Sequence, residues 1–325
     1  MGDFMPKHCT AILVAIVTVA WFQPSHAAQT QDQSQKPAQA SQSSSSQSSQ
    51  TPQSGQSGQS GQSGQSGQGG QAAQGQGQAA PVAPPVTPEE SKAYNAIQSE
   101  LDPARQLQLV DDFAKKYPNQ PMVLSEVYFF GAYASQQQNN IGKAVDYGYK
   151  SLEANPNNLR SLLMMSGLLP QPQVMQGSDA DKEKKLTDAE TDANKALQEI
   201  PDLKQPNMPP DQLTKAKASL SSQAHASLGM VHLQRALGGL TGPDAQELGK
   251  AEQEYKASVT GTDKPNAEDY FRLGEVYAME NKADDAIDAF TQCSKLSQGP
   301  LQTMATQQID KLKKAKAQSP PPAKP

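Results

Sequence analysis

The stretch Ala267 to Pro300, AEDYFRLGEVYAMENKADDAIDAFTQCSKLSQGP, decides the fold. Tyr270, Phe271, Leu273, Gly274 and Tyr277 recur at helical spacing, Asn281-Lys282 supplies a turn, and Ala286, Ile287, Phe290 and Cys293 resume a 3.6-residue apolar stripe. The pattern is a helical hairpin. A glycine inside a helix costs about 1 kcal/mol relative to alanine, so Gly274 implies that the two helices cross too closely there for a side chain, with Ala286 expected opposite it. A hairpin of this size cannot bury its stripe alone and must stack on neighbours.

These residues resemble the tetratricopeptide signature. An aromatic is followed by Leu-Gly, then Tyr, Ala and Phe at set intervals, with Tyr270 in the place usually held by Trp and Gln298 where Pro is commonest. The resemblance implies an all-α fold, a right-handed α-solenoid of about five hairpins plus a C-terminal capping helix, whose task is to present a surface. Looser copies precede the clear one. Thr87-Pro88-Glu89-Glu90 starts a helix with Tyr94, Ile97 and Leu101, and after Asp102-Pro103 a second carries Leu107, Val110, Phe113 and Ala114. The ending Phe113-Ala-Lys-Lys-Tyr117-Pro118 is similar to repeats of periplasmic members of the family, outer-membrane assembly lipoproteins among them.

The second hairpin pairs Val127, Phe130, Gly131 and Ala134 with Ala144, Val145, Gly148 and Leu152. Its step from Gly131 to Ala144 is one residue longer than that from Gly274 to Ala286, a difference expected in the polar turn. The third runs from Leu159 through Leu162, Leu163, Met165 and Gly167, and resumes at Ala189, Ala193, Ala196 and Leu197. An insertion, Leu169 to Leu186, lies between, where Ser178-Asp179-Ala180-Asp181 should cap a lengthened second helix. The fourth has a long first helix with Leu213, Leu220, Ala224, Leu228, Gly229 and Leu233, ended by Gly238-Gly239, and a partner with Leu248, Ala251, Tyr255 and Val259. Leu301, Met304, Ile309 and Leu312 stripe the cap, and Lys311, Lys313, Lys314 and Lys316 suit its C-terminal dipole.

The domain plan is therefore a signal peptide at 1–27, a linker at 28–87, the solenoid at 88–317 and a Pro-rich tail at 318–325. The signal has a basic head (Lys7, His8), an apolar run from Ala11 to Phe22 and the small-x-small site Ser25-His26-Ala27. That run has 12 residues, against the roughly 20 of a membrane-spanning helix. Cleavage and a periplasmic or secreted chain are expected, with membrane contact only if the signal stays uncleaved. The linker is Gln, Ser, Gly and Pro with no Leu, Ile or aromatic residue, so nothing offsets an ordering entropy of about 1 to 2 kcal/mol per residue. As a flexible coil of about 60 residues it spans roughly 40 to 46 Å.

Lys and Arg number 28 against 33 Asp and Glu, a net of -5 without a basic stripe, which disfavours nucleic acid as a partner. Cofactors and metals find no motif. His225 and His232 are seven residues apart on one helix, where they suit the aromatic and Tyr places of a repeat, and Cys293 suits a small buried position. Asp179, Asp181 and Glu183 lack the Gly and closing Glu of a calcium loop, Gly249-Lys250 lacks the upstream Gly of a phosphate loop, and the Gly-Gln-Ser repeats are no nucleophile elbow. No catalytic constellation is present in the sequence, and a non-catalytic binding scaffold is expected.

In the family the first helices line the concave face. The resemblance puts Tyr128, Ala132, Met164, Ala226, Met230, Phe271 and Glu275 there. None of Tyr128, Ala132, Ala226 or Met230 could clamp a C-terminal carboxylate, so the expected partner is a protein or peptide segment, apolar or helical. Because the linker has no apolar surface to contribute, deletion of 29–80 should leave the melting midpoint within about a degree; a drop of several degrees would show that the linker docks on the solenoid.

Overall fold

The computed structural model describes residues 87–238 and 242–318, and the signal, nearly all of the linker, Gly239 and nearly all of the tail lie outside them. The described residues form eleven α-helices and one 3-10 turn. Five hairpins follow in order: α1 (Pro88–Ser99) with α2 (Pro103–Lys116), α3 (Pro121–Gln137) with α4 (Ile141–Ala154), α5 (Leu159–Leu168) with α6 (Asp179–Glu199), α7 (Pro210–Leu237) with α8 (Ala245–Thr260), and α9 (Ala267–Met279) with α10 (Ala283–Leu296). A single helix, α11 (Pro300–Gln318), closes the array against α10. This is the α-solenoid that the repeat pattern implies.

Helix starts follow their sequence signals. Thr87 and Glu90 form a reciprocal capping box on α1, and Ser178 with Asp181 does the same on α6. Pro88, Pro103 and Pro121 occupy first-turn positions, where a missing N–H costs nothing.

The helix crossings depend on small residues. A Cβ on Gly274 would lie 2.8 Å from the Phe290 ring, and one on Gly229 would lie 2.9 Å from the Tyr255 ring. The residue opposite Gly274 is therefore Phe290, not Ala286, which is buried beside it in the same cluster. Between hairpins, a Cβ on Gly148 would fall 2.0 Å from Met165 Sδ, so α4 and α5 also meet through a missing side chain. Helix α5 is buried at every position from Ser161 onward, as LLMMSGL, apolar on all sides, requires.

Three expectations are corrected. Leu101 falls beyond α1 and is 91% exposed, because the helix ends at Ser99 and Asp102 immediately caps α2. Met304 is 48% exposed, and Ala305 takes its place under Leu301, Ile309 and Leu312. The insertion is half structure: Leu169, Pro170 and Gln171 are buried, Val174 and Met175 pack on the third hairpin, and α6 begins at Asp179.

The turns of the second and fifth hairpins are the same length, with Asn139 and Asn281 both left-handed (φ 57° and 61°). The one-residue difference therefore lies in the helix and not in the turn. Counting back from these turns puts Tyr128 in the place of Tyr270, Ala132 in that of Gly274 and Ala144 in that of Ala286, and counting forward puts Pro156 where the clear repeat has Gln298.

Glycine should thus behave oppositely at two helical positions. Gly274→Ala is expected to cost about 1 to 3 kcal/mol in urea unfolding by pressing on Phe290. Gly249→Ala, whose Cβ would meet none of the described residues within 4 Å, should gain up to about 1 kcal/mol from helix propensity. Equal shifts would mean that α9 and α10 do not cross at Gly274.

Candidate functional site

Two of the seams between repeats are built on serine. Ser125 donates to the carbonyl of Ser151 (2.9 Å), Ser151 donates back to that of Ser125 (2.7 Å), and Ser151 meets Ser161 of the next first helix at 2.6 Å. Two seams later, Ser222 donates to the carbonyl of Ser258 (2.8 Å), and Ser258 donates to Asp269 Oδ2. Each junction thus ties a first helix, its second helix and the next first helix through buried hydroxyls, which only small polar side chains could place at such close approach. Ser161 and Asp269 hold the same place, so Leu163 and Gly167, not Met164, match Phe271 and Glu275.

The seven groove candidates divide accordingly. Ala132, Met164 and Phe271 are buried in core clusters, Phe271 at 3% exposure with its ring edge-on to Phe290 at 5.2 Å. They present no side chain to a partner. Tyr128, Ala226, Met230 and Glu275 are half-buried. Tyr128 packs towards Tyr147 (6.1 Å), as its shifted register requires, and Ala226 and Met230 keep the register of Phe271 and Glu275. The corrected register adds Phe129 and Tyr133 on α3, both half-buried. The turn asparagines carried that register in the sequence; the Gly131 to Gly274 match concealed it.

Two charged nodes lie on these first helices. At the first, Arg160 pairs with Glu126 (3.5 Å) and stands over the Phe129 ring (5.6 Å), while Asn158 donates to Glu126 (3.0 Å). Burial raises the Glu126 carboxyl above its usual range, opposed by Arg160 and Asn158. At the second, on α9, Arg272 donates to Glu275 Oε2 (3.0 Å) and Glu268 Oε1 (3.4 Å). Behind it stands Tyr255, buried to 1% exposure, whose hydroxyl has no hydrogen-bond partner among the described residues; Arg272 Nε also has none.

Between α7 and α8, His225 bonds Glu254 (2.7 Å) and His232 bonds Glu247 (2.8 Å) across the hairpin, which gives both histidines structural partners. Cys293 is buried beside Ser297, and burial raises its thiol.

No protein-family model matches the chain, and no curated protein matches it by sequence. Solved structures do. The assembly chaperone of RpL4 (Acl4, residues 1–338) aligns with a TM-score of 0.52 at 11% identity over 70% of this chain and 85% of that one. A thermophilic tetratricopeptide-repeat protein of Thermus thermophilus aligns with a TM-score of 0.45 at 15% identity, over 68% and 98%. A MamA RS-1 double mutant aligns with a TM-score of 0.46 at 16% identity, over 65% and 96%. At 11% identity the likeness to Acl4 concerns the fold alone, and the five stacked hairpins above are an α-solenoid of the tetratricopeptide-repeat type.

The seam at Asp269 makes stability depend on pH. Burial pushes this carboxyl up to about 7, against the bond from Ser258. Between about pH 4 and 7 the folded chain holds a proton that the unfolded chain has released. Stability therefore falls as pH rises through that window and is flat above it. Asp192, raised to about 7 by burial and by Asp188, adds a slope of the same sign. Asp269→Asn should flatten the denaturant-midpoint profile and stabilise the chain at pH 8 by up to about 4 kcal/mol. An unchanged slope would show that Asp269 ionises freely.

Proposed function

We propose that the chain is a non-catalytic protein–protein interaction scaffold of the cell envelope, exported by its N-terminal segment, that binds a partner segment along its first helices. One observation carries this reading. Phe129, Tyr133, Ala226, Met230 and Met279 lie half-buried on α3, α7 and α9, while the cations of that face, Arg160 and Arg272, are already engaged by Glu126, Glu268 and Glu275. Aromatic rings and adaptable methionines with neutralised cations suit an apolar or helical segment better than a carboxylate terminus. The export segment 1–27 supports the envelope setting. The alternatives are a structural envelope component tethered by an uncleaved signal and an outer-membrane assembly accessory factor; an intact mass of a mature protein that starts at Ala28, after cleavage behind Ala27, rules out the tether.

Photo-crosslinking residues placed at Tyr133 and Met230, and as controls at the exposed second-helix positions Asp112 and Gln253, test the face. A common partner is expected from the first pair alone, and Tyr133→Ala should weaken its binding about 5- to 30-fold with melting nearly unchanged. Equal crosslinking from both pairs would refute the assignment. Phe271→Ala should instead cost about 3 to 5 kcal/mol of stability, as a core truncation does.

A further inference from the structure

Resting on the reading of the first helices as the binding face, we infer that Glu268, Arg272 and Glu275 form a subsite that selects a basic side chain, lysine or arginine, within the bound segment. The side chains of Glu268 and Glu275 are 30% and 28% exposed, and each gives one oxygen to Arg272. Glu268 Oε2 and Glu275 Oε1 accept nothing from the described residues. Two carboxylates thus share one guanidinium, leaving one negative charge and two acceptor oxygens without a partner among the described residues. An anionic group would meet like charge and an arginine already held on two sides. An ammonium or guanidinium would meet open acceptors.

The buried layer beneath points the same way. The Tyr255 ring is seated on Gly229 of α7, and its hydroxyl, within the electrostatic reach of Arg272, Asp269, Glu275 and Glu268, has no partner among the described residues. Arg272 Nε–H is likewise unpartnered there. A buried hydroxyl and a buried guanidinium N–H left unmade are each costly. The matching contact in the second hairpin has no such cost, because the Tyr147 hydroxyl, whose ring lies on Gly131, donates to Asp111. Arg272 is bonded to the two glutamates and not to Tyr255. When a basic side chain of the partner binds the open glutamate oxygens and weakens their hold on Arg272, the guanidinium turns to donate its Nε–H to the Tyr255 oxygen. Binding then satisfies both unpaired groups and neutralises the surplus charge, a gain that neither a neutral nor an acidic side chain provides.

The test uses the full chain and three fluorescein-labelled amphipathic helical peptides of about 16 residues, identical in their Leu and Ala face and bearing Lys, Gln or Glu at one central polar position. Fluorescence anisotropy is expected to give the Lys peptide an affinity at least about tenfold above the Gln peptide, with the Glu peptide weakest. The Glu268→Gln, Glu275→Gln double variant should erase that order without changing the Gln peptide's affinity or the melting midpoint. Tyr255→Phe should shrink the Lys preference about threefold or more while the chain stays folded. Equal binding of all three peptides, or a Lys preference that survives the double variant, would overturn the subsite and leave the binding face standing. Binding by none of them would overturn both.

Discussion

An aromatic ring pressed against a glycine is the contact on which this solenoid depends. Phe290 covers Gly274, Tyr255 covers Gly229, and Tyr147 reaches Gly131 from one residue's difference in register. The contact sets how closely first and second helices approach, and that distance then admits only serine, alanine or cysteine at neighbouring buried positions. Ser125 with Ser151 and Ser222 with Ser258 use the closeness to make hydrogen bonds. In the fifth hairpin Ala267 and Cys293 stand in the same places, and Cys293 is fully buried. Close packing in a helical array is thus achieved by subtraction of side chains, with the seam chemistry following from it.

The fold was legible because helical hairpins announce themselves locally. Caps, first-turn prolines and the apolar stripe of α9 and α10 are all contained within a few residues, and a unit that must stack extends one clear copy to its degenerate neighbours. The binding face was legible only in part. Its assignment needs register, and a slip of one residue rotates a helix by about 100°, enough to carry a side chain from the face into the core. Gly131 invites a match to Gly274, yet the place of Gly274 belongs to Ala132, so Tyr128 and Ala132 were displaced by one and Phe129 and Tyr133 were overlooked. Phe271 was in register and still buried, because an aromatic at that position leans onto Phe290. The clamp on Arg272 is an i,i+3 and i,i+4 pattern within α9, but the unpartnered hydroxyl of Tyr255 behind it comes from packing of α8 against α7 and α9, which no local pattern encodes.

Electrostatics on the first helices is arranged in closed sets. Arg160 answers Glu126, and Arg272 answers Glu268 and Glu275, so little charge is left over except on α9. The same economy holds on the far side of the hairpins, where Lys282 joins Glu252 and Glu280 beside the Tyr277 ring. Exposed pairs of this kind add little stability. Their effect is to suppress long-range attraction, so that recognition depends on contact and not on steering.

Beyond its first turn helix α5 has no solvent face, and this bears on how such a chain can evolve. Among the described residues the first hairpin packs on one neighbouring hairpin and the fifth is covered on its outer side by a single helix, α11, so either could be copied or lost with few contacts to rebuild. The third hairpin is wedged between α4 and α7, with Met165 filling the notch of Gly148 and Ser166 reaching Ser227. Neither duplication nor excision there leaves a matching surface on both sides. The array is therefore more modular at its margins than at its centre, where a repeat cannot be added or removed without rebuilding two unlike surfaces.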